Sequence, residues 1–387
     1  MNYRIFLIVS ACLIGLSCRR EEINPDVDLA VERDLVTFDA PEVPESFKKV
    51  FSDHELVIFG ETHYVQEHQE FLVSLLHELS GAGYNVIFEE QMHCFSWLVE
   101  DYLNGDITQL QETILFFDET LIEGIKAYNA SVDNSRRFSL VYMDLNQWAT
   151  SFSTSVNEME KIIGQPYILS SLLNYTPDSD PYLEHLQNAQ DALVADSTVY
   201  IASLGRKWYD RILDMIPVEI ESSNYRTGRN DELRESAMTG NIMRYFVRHQ
   251  GSKAVINTGM FHAQKESHMW LYHETMAHRL SRNFESLATV TFIGMKGETK
   301  NHFYDTDAYS FNLPESAKED NLIKLLARLA GDSMSYLTLE DPVFMEQEVV
   351  ISYDRNTTIE ARIGRQFDAL VTYPRVSTLQ SMDRHHP

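Results

Sequence analysis

The amino-acid sequence predicts an α/β fold: a mostly parallel central sheet with helices on both faces and a large helical insertion. Three observations support this class. Short apolar runs recur along the 387 residues and end at glycine or acidic residues. Segments with helical periodicity separate the runs, as crossover helices do in a parallel sheet. The segment at about 148–245 has several helical signals and no strong strand signal, so we expect it to form the insertion.

Six apolar runs are predicted to be buried strands, because each is short, apolar and bounded by polar residues or glycine. They are Glu55–Phe59, Asn85–Phe88, Ser139–Met143, Lys253–Asn257, Leu287–Ile293 and Phe367–Val371. Between the first two runs, leucines at helical spacing predict a helix that Gly81 and Gly83 end.

The composition is that of a globular protein with an excess of acidic side chains. Hydrophobic residues make up 44% of the chain and aromatic residues 11%, too much apolar material for a disordered chain. The 58 acidic residues outnumber the 32 basic ones, which gives a formal net charge of -26. Nucleic acids and anionic lipid surfaces are bound through basic side chains. We therefore expect no nucleic-acid partner, and no membrane binding through the protein surface itself.

The first residues resemble an export signal. Arg4 precedes an apolar run at 5–16, which is shorter than the roughly 20 residues that span a bilayer. Cys18 then stands where a bacterial lipoprotein is cleaved and lipidated; Cys12 and ordinary signal-peptidase cleavage are the alternatives. We expect a signal peptide at 1–17 and an exported lipoprotein, anchored by lipid to a membrane in the bacterial periplasm or at the cell surface.

The segment that follows is predicted to be a tether. Residues 18–46 are acidic and contain three prolines, as an extended linker does. The folded domain is then expected to occupy 47–387. If Cys18 carries lipid, Cys94 has no cysteine partner and no internal disulfide forms.

Titratable residues follow four of the predicted strands. In open α/β sheets, sites form beyond the carboxyl ends of the strands. The candidates at these positions are Glu61 and His63, then Glu89 and Glu90, then Asp144, then His262. Glu89 and Glu90 are adjacent and face opposite ways in an extended chain. We expect Glu89 to face the site and Glu90 to be exposed.

Two of these strand ends have the form Gly-x-x-His, at Gly60–His63 and Gly259–His262. Two imidazoles with one or two carboxylates are able to hold a divalent transition metal, with His63, His262 and Glu61 as ligands. The same groups also serve as a metal-free general acid and base. Spacing alone leaves both interpretations open.

A helix near residue 240 is predicted to supply an arginine. Arg234, Met238, Asn241 and Tyr245 fall on one helical face. An arginine on the same face as a methionine indicates an inward guanidinium, which pairs with carboxylates or holds an anionic oxygen. We expect Asn241 and Asp144 to support the site.

Taken together, these segments resemble the superfamily that joins erythromycin esterases, ChaN-like haem-binding lipoproteins and the Tiki/TraB proteins. The resemblance covers roughly residues 50–375 and implies an α/β core with a helical insertion and a pocket at the strand ends. Its motifs are Gly60–His63, Glu89, Tyr142–Gln147, the helix with Arg234, Met238 and Asn241, Ile256–His262, and Gln366–Val371.

The resemblance implies three different activities. Erythromycin esterases hydrolyse a macrolactone, and their histidines and glutamates correspond to His63, His262, Glu61 and Glu89. Tiki-like proteins resemble metal-dependent peptidases with two Gly-x-x-His segments, and ChaN-like lipoproteins bind haem. The chain departs from the esterases in having Tyr64 where glycine is usual, and in having Gly-x-x-His in place of their His-Asn-x-His segment.

The sequence thus gives two hypotheses of different class. The first is a membrane-tethered hydrolase of an ester, lactone or amide bond in a small molecule or peptide. In it, His63 is the base or a metal ligand, Glu61 or Glu89 orients it, His262 is the second acid/base group, and Arg234 stabilises negative charge. The second is a non-catalytic lipoprotein that binds haem or iron.

Overall fold

A computed structural model describes residues 24–110, 119–164, 175–266, 274–300, 308–353 and 357–379. The expected signal peptide at 1–17 and the expected lipidation site Cys18 lie outside these ranges. Within them, no helix combines the length and the apolar character needed to cross a membrane.

The centre of the fold is an eight-stranded sheet in the order β1-β9-β12-β6-β2-β5-β3-β4, flanked by two two-stranded sheets, β7-β8 and β10-β11. All strands of the central sheet run in one direction except β9. The predicted fold class and its six buried strands are confirmed. In chain order the strands are β1 (Leu35–Phe38), β2 (Leu56–Glu61), β3 (Tyr84–Met92), β4 (Ser139–Asp144), β5 (Lys253–Gly259), β6 (Leu287–Gly294), β7 (Lys296–Thr299), β8 (Tyr309–Asn312), β9 (Met334–Thr338), β10 (Val349–Ser352), β11 (Thr358–Ala361) and β12 (Ala369–Tyr373).

Helices cover both faces of the sheet. The helices within the described ranges are α1 (Pro25–Asp34), α2 (Glu45–Asp53), α3 (Gln66–Ser74), α4 (Leu76–Gly81), α5 (Ser96–Asn104), α6 (Glu119–Ser131), α7 (Ser151–Ile163), α8 (Asp180–Ala195), α9 (Ser197–Leu204), α10 (Arg206–Gly228), α11 (Asp231–Arg248), α12 (Met276–Ser281), α13 (Leu313–Ser316), α14 (Leu322–Ala330), α15 (Pro342–Glu346) and α16 (Ile363–Gln366). Two short 3₁₀ turns lie at His93–Phe95 and Asn134–Arg136. Helices α7 to α11 lie between β4 and β5, and they form the predicted helical insertion.

The central strands are buried on both faces. In β2, Val57 and Phe59 join one hydrophobic core, and Leu56 and Ile58 join the other. Alternate side chains of a strand point to opposite faces, so each strand contributes to both cores. This two-sided burial explains why the strands appear in the sequence as continuous apolar runs.

The expected tether is wrong for residues 25–38, which belong to the folded domain. Val27, Ala30 and Val31 lie at helical spacing on α1 and are buried. Strand β1 pairs antiparallel with β9 and forms one edge of the sheet. Asp26 and Glu32 of α1 are exposed, so acidic residues coexist here with a buried apolar stripe.

The sheet topology places the site. From β2, the chain moves to one side of the sheet for β3 and β4, and β6 and β12 lie on the other side. Ligand sites of open α/β sheets form at such a switch point, beyond the carboxyl ends of the strands. Four neighbouring strands, β2, β5, β3 and β4, end at this edge.

Candidate active site

The first strand end supplies an imidazole held by a carboxylate. Glu61 ends β2, and its Oε1 atom lies 3.1 Å from His63 Nδ1. A carboxylate only accepts hydrogen bonds, so Nδ1 carries the proton and Nε2 holds the lone pair. Burial lowers the pKa of His63, but Glu90 and Glu61 outweigh this effect and raise it above 6.5. The side chain is 43% exposed, and this imidazole is therefore accessible to water.

The two Gly-x-x-His segments lie against each other. A Cβ atom on Gly259 would lie 2.6 Å from His63 Nε2, and one on Gly60 would lie 2.8 Å from Ala263 Cβ. Real Cβ contacts are longer than this, so each glycine makes room for the other segment. The absence of a side chain at these positions allows the two strand ends to approach each other.

We expect Gly259→Ala to lower activity sharply without unfolding the protein. The new methyl group displaces the His63 ring, and misplacement of a reacting group by about 1 Å costs on the order of 100-fold in rate. The control has to be a glycine that tolerates a side chain. A Cβ atom on Gly81 meets no atom within 4 Å, whereas Gly251 is unsuitable because its φ is positive. Gly81→Ala is therefore the control. Equal rates for the two variants, with equal melting temperatures, would contradict the assigned packing.

The second imidazole is enclosed by carboxylates. His262 follows β5, and its Nδ1 atom lies 2.5 Å from Glu235 Oε1. Its Nε2 atom lies 3.3 Å from Glu90 Oε1. Burial lowers the pKa of His262, but Glu235 and Glu90 outweigh it and raise the pKa to about 10. The two carboxylates therefore favour the imidazolium form of His262 at neutral pH.

Glu90 is the carboxylate at the centre of the site. Its Oε2 atom accepts hydrogen bonds from Thr258 Oγ1 at 2.7 Å and from Gly259 N at 2.6 Å, and lies 3.8 Å from His63 Nε2. Its Oε1 atom accepts from Arg234. Burial raises the pKa of Glu90, but His262, Arg234 and His63 together hold it well below the usual range. Glu90 therefore stays ionised between the two histidines.

Arg234 faces the site, as predicted from its helical face. Its Nε and Nη2 atoms donate to the two oxygens of Asp144 at 3.0 and 2.7 Å, a bidentate pair, and Nη2 also donates to Glu90. Asn241 lies on the same face of α11, about two turns further along the helix. It donates from Nδ2 to Met143 O at 2.7 Å and thereby fixes α11 to β4. Asp144 and Asn241 thus hold the arginine in place.

The expectation that Glu90 is exposed is wrong. Glu89 and Glu90 do point to opposite faces of β3, but both faces are covered there, so both carboxylates are buried. Glu89 accepts two hydrogen bonds from Asn257 Nδ2, at 3.1 and 3.0 Å, and Glu90 meets the histidines and the arginine. The pairing of β3 with β4 also shifts register between Glu89 and Met92, an irregularity that sequence alternation does not reveal.

The structure adds three polar residues that the sequence did not single out. Glu235 orients His262, and it also accepts a hydrogen bond from Met276 N at 2.6 Å. His68 and Asn257 form a buried network beneath Glu61. The sequence does carry a signal for Asn257, because this polar residue lies near the carboxyl end of β5. Glu235 follows Arg234 among several acidic helix residues, and nothing in the sequence distinguishes it.

The residues predicted as metal ligands are not grouped as a ligand set. In the described part of the chain, no three His, Cys, Asp or Glu side chains are arranged to hold a metal ion. The Nδ1 atoms of His63 and His262 instead contact separate carboxylates, Glu61 and Glu235. The geometry is that of two imidazole–carboxylate pairs facing a shared carboxylate.

A small cavity adjoins His63. Its volume is about 30 Å³, close to the volume that one water molecule occupies in the liquid. Its lining residues are Glu61, His63, Tyr64, Val65, Gln69, Glu89, Glu90, Gln91 and Leu379. Water thus has a place next to the accessible imidazole.

The C-terminal strap, residues 376–379, covers one side of this cavity. Leu379 N donates to Tyr64 O at 3.1 Å, and Gln66 N donates to Ser377 O at 2.9 Å. Ser377 also donates to Glu67 through its backbone and side chain, at 2.7 Å each. The strap is therefore fixed to the loop that carries His63.

Tyr64 keeps the backbone conformation of a glycine. Its φ is 65°, in the left-handed region that costs a non-glycine residue roughly 1 kcal/mol or more. This position is where the esterase pattern usually has glycine. Tyr64 therefore adopts a conformation that glycine adopts at little cost, and its aromatic ring lies beside His63, with 5.8 Å between the two ring centroids.

The fold is shared with proteins of known structure. No family model and no curated protein matches the chain. A Bacillus cereus protein matches with a TM-score of 0.71 and 13% identity, over 92% of this chain and 98% of that chain. Erythromycin esterase EreC, in its open conformation, matches with a TM-score of 0.64 and 15% identity, over 89% and 98%. ChaN of Campylobacter jejuni, with cofacial haem bound, has a TM-score of 0.30 and 12% identity, over 64% and 85%. The structural neighbours therefore include an erythromycin esterase, as the motifs predicted, and the first two matches show that this α/β fold is shared with proteins of known structure.

Proposed function

We propose that this protein is a hydrolase of ester, lactone or amide bonds. The observation that carries the proposal is the pair of imidazole–carboxylate contacts, His63 with Glu61 and His262 with Glu235, on either side of Glu90. The likeness of the fold to that of an erythromycin esterase supports this class of chemistry.

The two histidines have different environments and therefore different roles. His63 is partly exposed, carries its proton on Nδ1 and borders a cavity of the size of a water molecule, so it acts as the general base. His262 is an imidazolium whose pKa is about 10, so it acts as the general acid and as a positive charge near the developing oxyanion. Pairs of titratable groups with separated pKa values commonly divide acid and base roles in this way.

The proposed reaction balances without a further reactant. His63 Nε2 takes a proton from water while the water oxygen forms a bond to the carbonyl carbon. The bond from that carbon to the leaving oxygen or nitrogen then breaks, and the leaving group takes a proton from His262. The proton that His63 gained passes through solvent to His262, which restores both side chains, and the products are a carboxylic acid and an alcohol or amine.

Hydrolysis of simple substrates tests the proposal, with 4-nitrophenyl acetate, δ-valerolactone and alanine 4-nitroanilide as the ester, lactone and amide probes. Because His63 has to be neutral and its pKa is raised above the ordinary histidine value, kcat/KM should rise with pH through a midpoint above that ordinary value. Because His262 has to protonate an alkoxide leaving group, kcat/KM for δ-valerolactone should fall again near pH 10. A kcat/KM that continues to rise with pH above 10 would contradict the assignment of His262 as the general acid. No turnover of any probe at any pH would count against the hydrolase.

The haem-binding alternative does not fit the site geometry. The Nδ1 atoms of His63 and His262 contact the carboxylates of Glu61 and Glu235, and the Nε2 atoms of both histidines face Glu90. The hydrolase is therefore the function that this geometry favours.

We also propose that the chain is exported and lipidated at Cys18. The short N-terminal apolar run and the cysteine at its end support this proposal. Metabolic labelling with a fatty acid tests it: the label should be lost in Cys18→Ser and retained in Cys94→Ser, because Cys94 is a buried free cysteine.

A further inference from the structure

We propose that Thr299 and the C-terminal strap form a clamp that holds Tyr64 in its left-handed conformation and thereby positions His63. Thr299 is a positioning residue, since it acts on His63 through the backbone and not on a substrate. The kinetic consequence of the clamp rests on the proposed function, whereas the held conformation of Tyr64 is measurable without a substrate.

Tyr64 is the strained residue of the loop that carries His63, residues 62–65. Its φ is 65°, in the left-handed region, where a non-glycine residue is disfavoured by roughly 5-fold to 30-fold. Such a conformation persists only where the surrounding structure over-determines it. Contacts around Tyr64 therefore have to hold the loop in place.

The peptide groups before and after Tyr64 are held from two different segments of the chain. Thr299 Oγ1 donates to His63 O at 3.2 Å, and Leu379 N donates to Tyr64 O at 3.1 Å. Because a peptide group is planar, only φ and ψ of Tyr64 lie between these two carbonyl groups. Fixing the direction of both carbonyl groups therefore restricts both angles.

The strap is anchored on both of its sides. Ser377 donates to Glu67, at the start of α3, through its backbone and its side chain. On the other side, Val376 N donates to Lys296 O at 2.9 Å, and Glu298 N donates to Val376 O at 3.1 Å. Both partners belong to β7, the strand that also supplies the threonine of the clamp. The loop, the strap and β7 therefore each contact the other two.

The clamp is buried and closely packed. A Cβ atom on Gly297 of β7 would lie 1.8 Å from Val376 O, so the strap passes directly over the backbone of this strand. Thr299 and Val376 are each 2% exposed, and Leu379 is 4% exposed. The strap and β7 thus have little room to shift away from the loop.

Hydrogen exchange of the Leu379 and Gln66 amides, followed by NMR, measures how often the clamp opens, because these amides donate to the loop and to the strap. Thr299→Val keeps the side-chain shape and removes the hydroxyl group. Exchange of both amides should accelerate by roughly 2-fold to 10-fold, the contribution of one hydrogen bond. Thr227→Val is the control, because Thr227 Oγ1 donates to Ser223 O within its own helix, α10, and it should leave both rates unchanged. Unchanged exchange in Thr299→Val would overturn the proposal.

Replacement of Tyr64 by glycine tests whether the clamp works against strain. Glycine populates positive φ about as readily as negative φ, so Tyr64→Gly should favour the closed clamp and slow the exchange of both amides. Combined with Thr299→Val, it should return exchange toward the wild-type rate. If Tyr64 stores no strain, glycine only adds freedom to the open loop, and exchange becomes faster. That result would overturn the proposal.

The kinetic test uses 4-nitrophenyl acetate. Thr299→Val should lower kcat by roughly 10-fold to 100-fold with little change in KM, because misplacement of a reacting group by about 1 Å costs on the order of 100-fold in rate. Thr299→Ser retains the hydroxyl group and should keep the wild-type kcat. Equal losses in the two variants, or an unchanged kcat in Thr299→Val, would overturn the positioning role.

Ser377→Ala carries both tests if Thr299→Val does not fold. It removes the hydroxyl contact between the strap and Glu67, so amide exchange should accelerate and kcat should fall, and unchanged values would overturn the proposal. If the wild-type protein does not turn over the ester at all, the proposed function fails. Amide exchange in the same variants then still decides whether the clamp holds Tyr64.

Discussion

Replacement of His63 by glutamine should lower kcat/KM for 4-nitrophenyl acetate by about 100-fold to 10,000-fold, the usual contribution of a positioned general base. Glutamine fills similar space and cannot take a proton from water. Because the His63 side chain is 43% exposed and contacts the protein chiefly through Glu61, its replacement should leave the melting temperature nearly unchanged. Rates and thermal unfolding of the same samples measure both effects.

His249→Gln is the matched control for this substitution. His249 is exposed at the end of α11, where its Nδ1 atom contacts the backbone carbonyl of Tyr245 and its ring stacks on the Tyr245 ring. Its replacement should change neither rate nor stability. If His63→Gln retains wild-type kcat/KM, then His63 is not the base and the proposed mechanism is wrong.

Replacement of Arg234 by methionine should destabilise the protein by about 3–5 kcal/mol, the cost of removing one partner from a buried ion pair. Arg234 compensates two buried carboxylates, so its removal would take from Asp144 its bidentate cation and from Glu90 one of its cationic partners. Urea unfolding followed by circular dichroism measures the change in free energy.

The wild-type Glu90 has a depressed pKa, so its stabilising effect is present above the ordinary glutamate pKa and is lost as pH falls through the depressed value. In the variant this depression is smaller, so acid unfolding should begin at a higher pH.

Arg282→Met provides the comparison. Arg282 also pairs with a carboxylate, Glu274, but 58% of its side chain is exposed. Exposed pairs contribute about 0–1 kcal/mol, and we expect a loss in that range. A similar small loss for Arg234→Met would show that the buried pairs do not anchor the site.

Most of the sheet was predictable because two-sided burial leaves a clear signal. Strand β2 presents four consecutive buried apolar residues, Leu56 to Phe59. The strands that were not predicted lack this pattern. Strand β9 contains Ser335, which is buried and bonded to Thr372 Oγ1 at 2.6 Å, and β1 is an edge strand with Val36 and Thr37 exposed. Polar partners in the core and one-sided burial both interrupt the apolar run.

The site was predictable to the extent that strand ends define it. Glu61, His63, Asp144, Arg234 and His262 lie close together because they follow neighbouring parallel strands or a helix packed on them. The choice between Glu89 and Glu90 required the packing on both faces of β3. Glu235 required the position of α11 relative to His262, which depends on contacts between residues far apart in sequence.

The position of the C-terminal strap has a consequence for protein production. Leu379 borders the cavity, and Pro387 lies eight positions further along the chain. Eight residues span at most about 29 Å, so an affinity tag fused after Pro387 would lie within reach of the site. A polyhistidine tag there would add imidazoles near the two site histidines and would bind metal ions of its own. Fusion of the tag before residue 24 avoids both artefacts and leaves the strap unmodified.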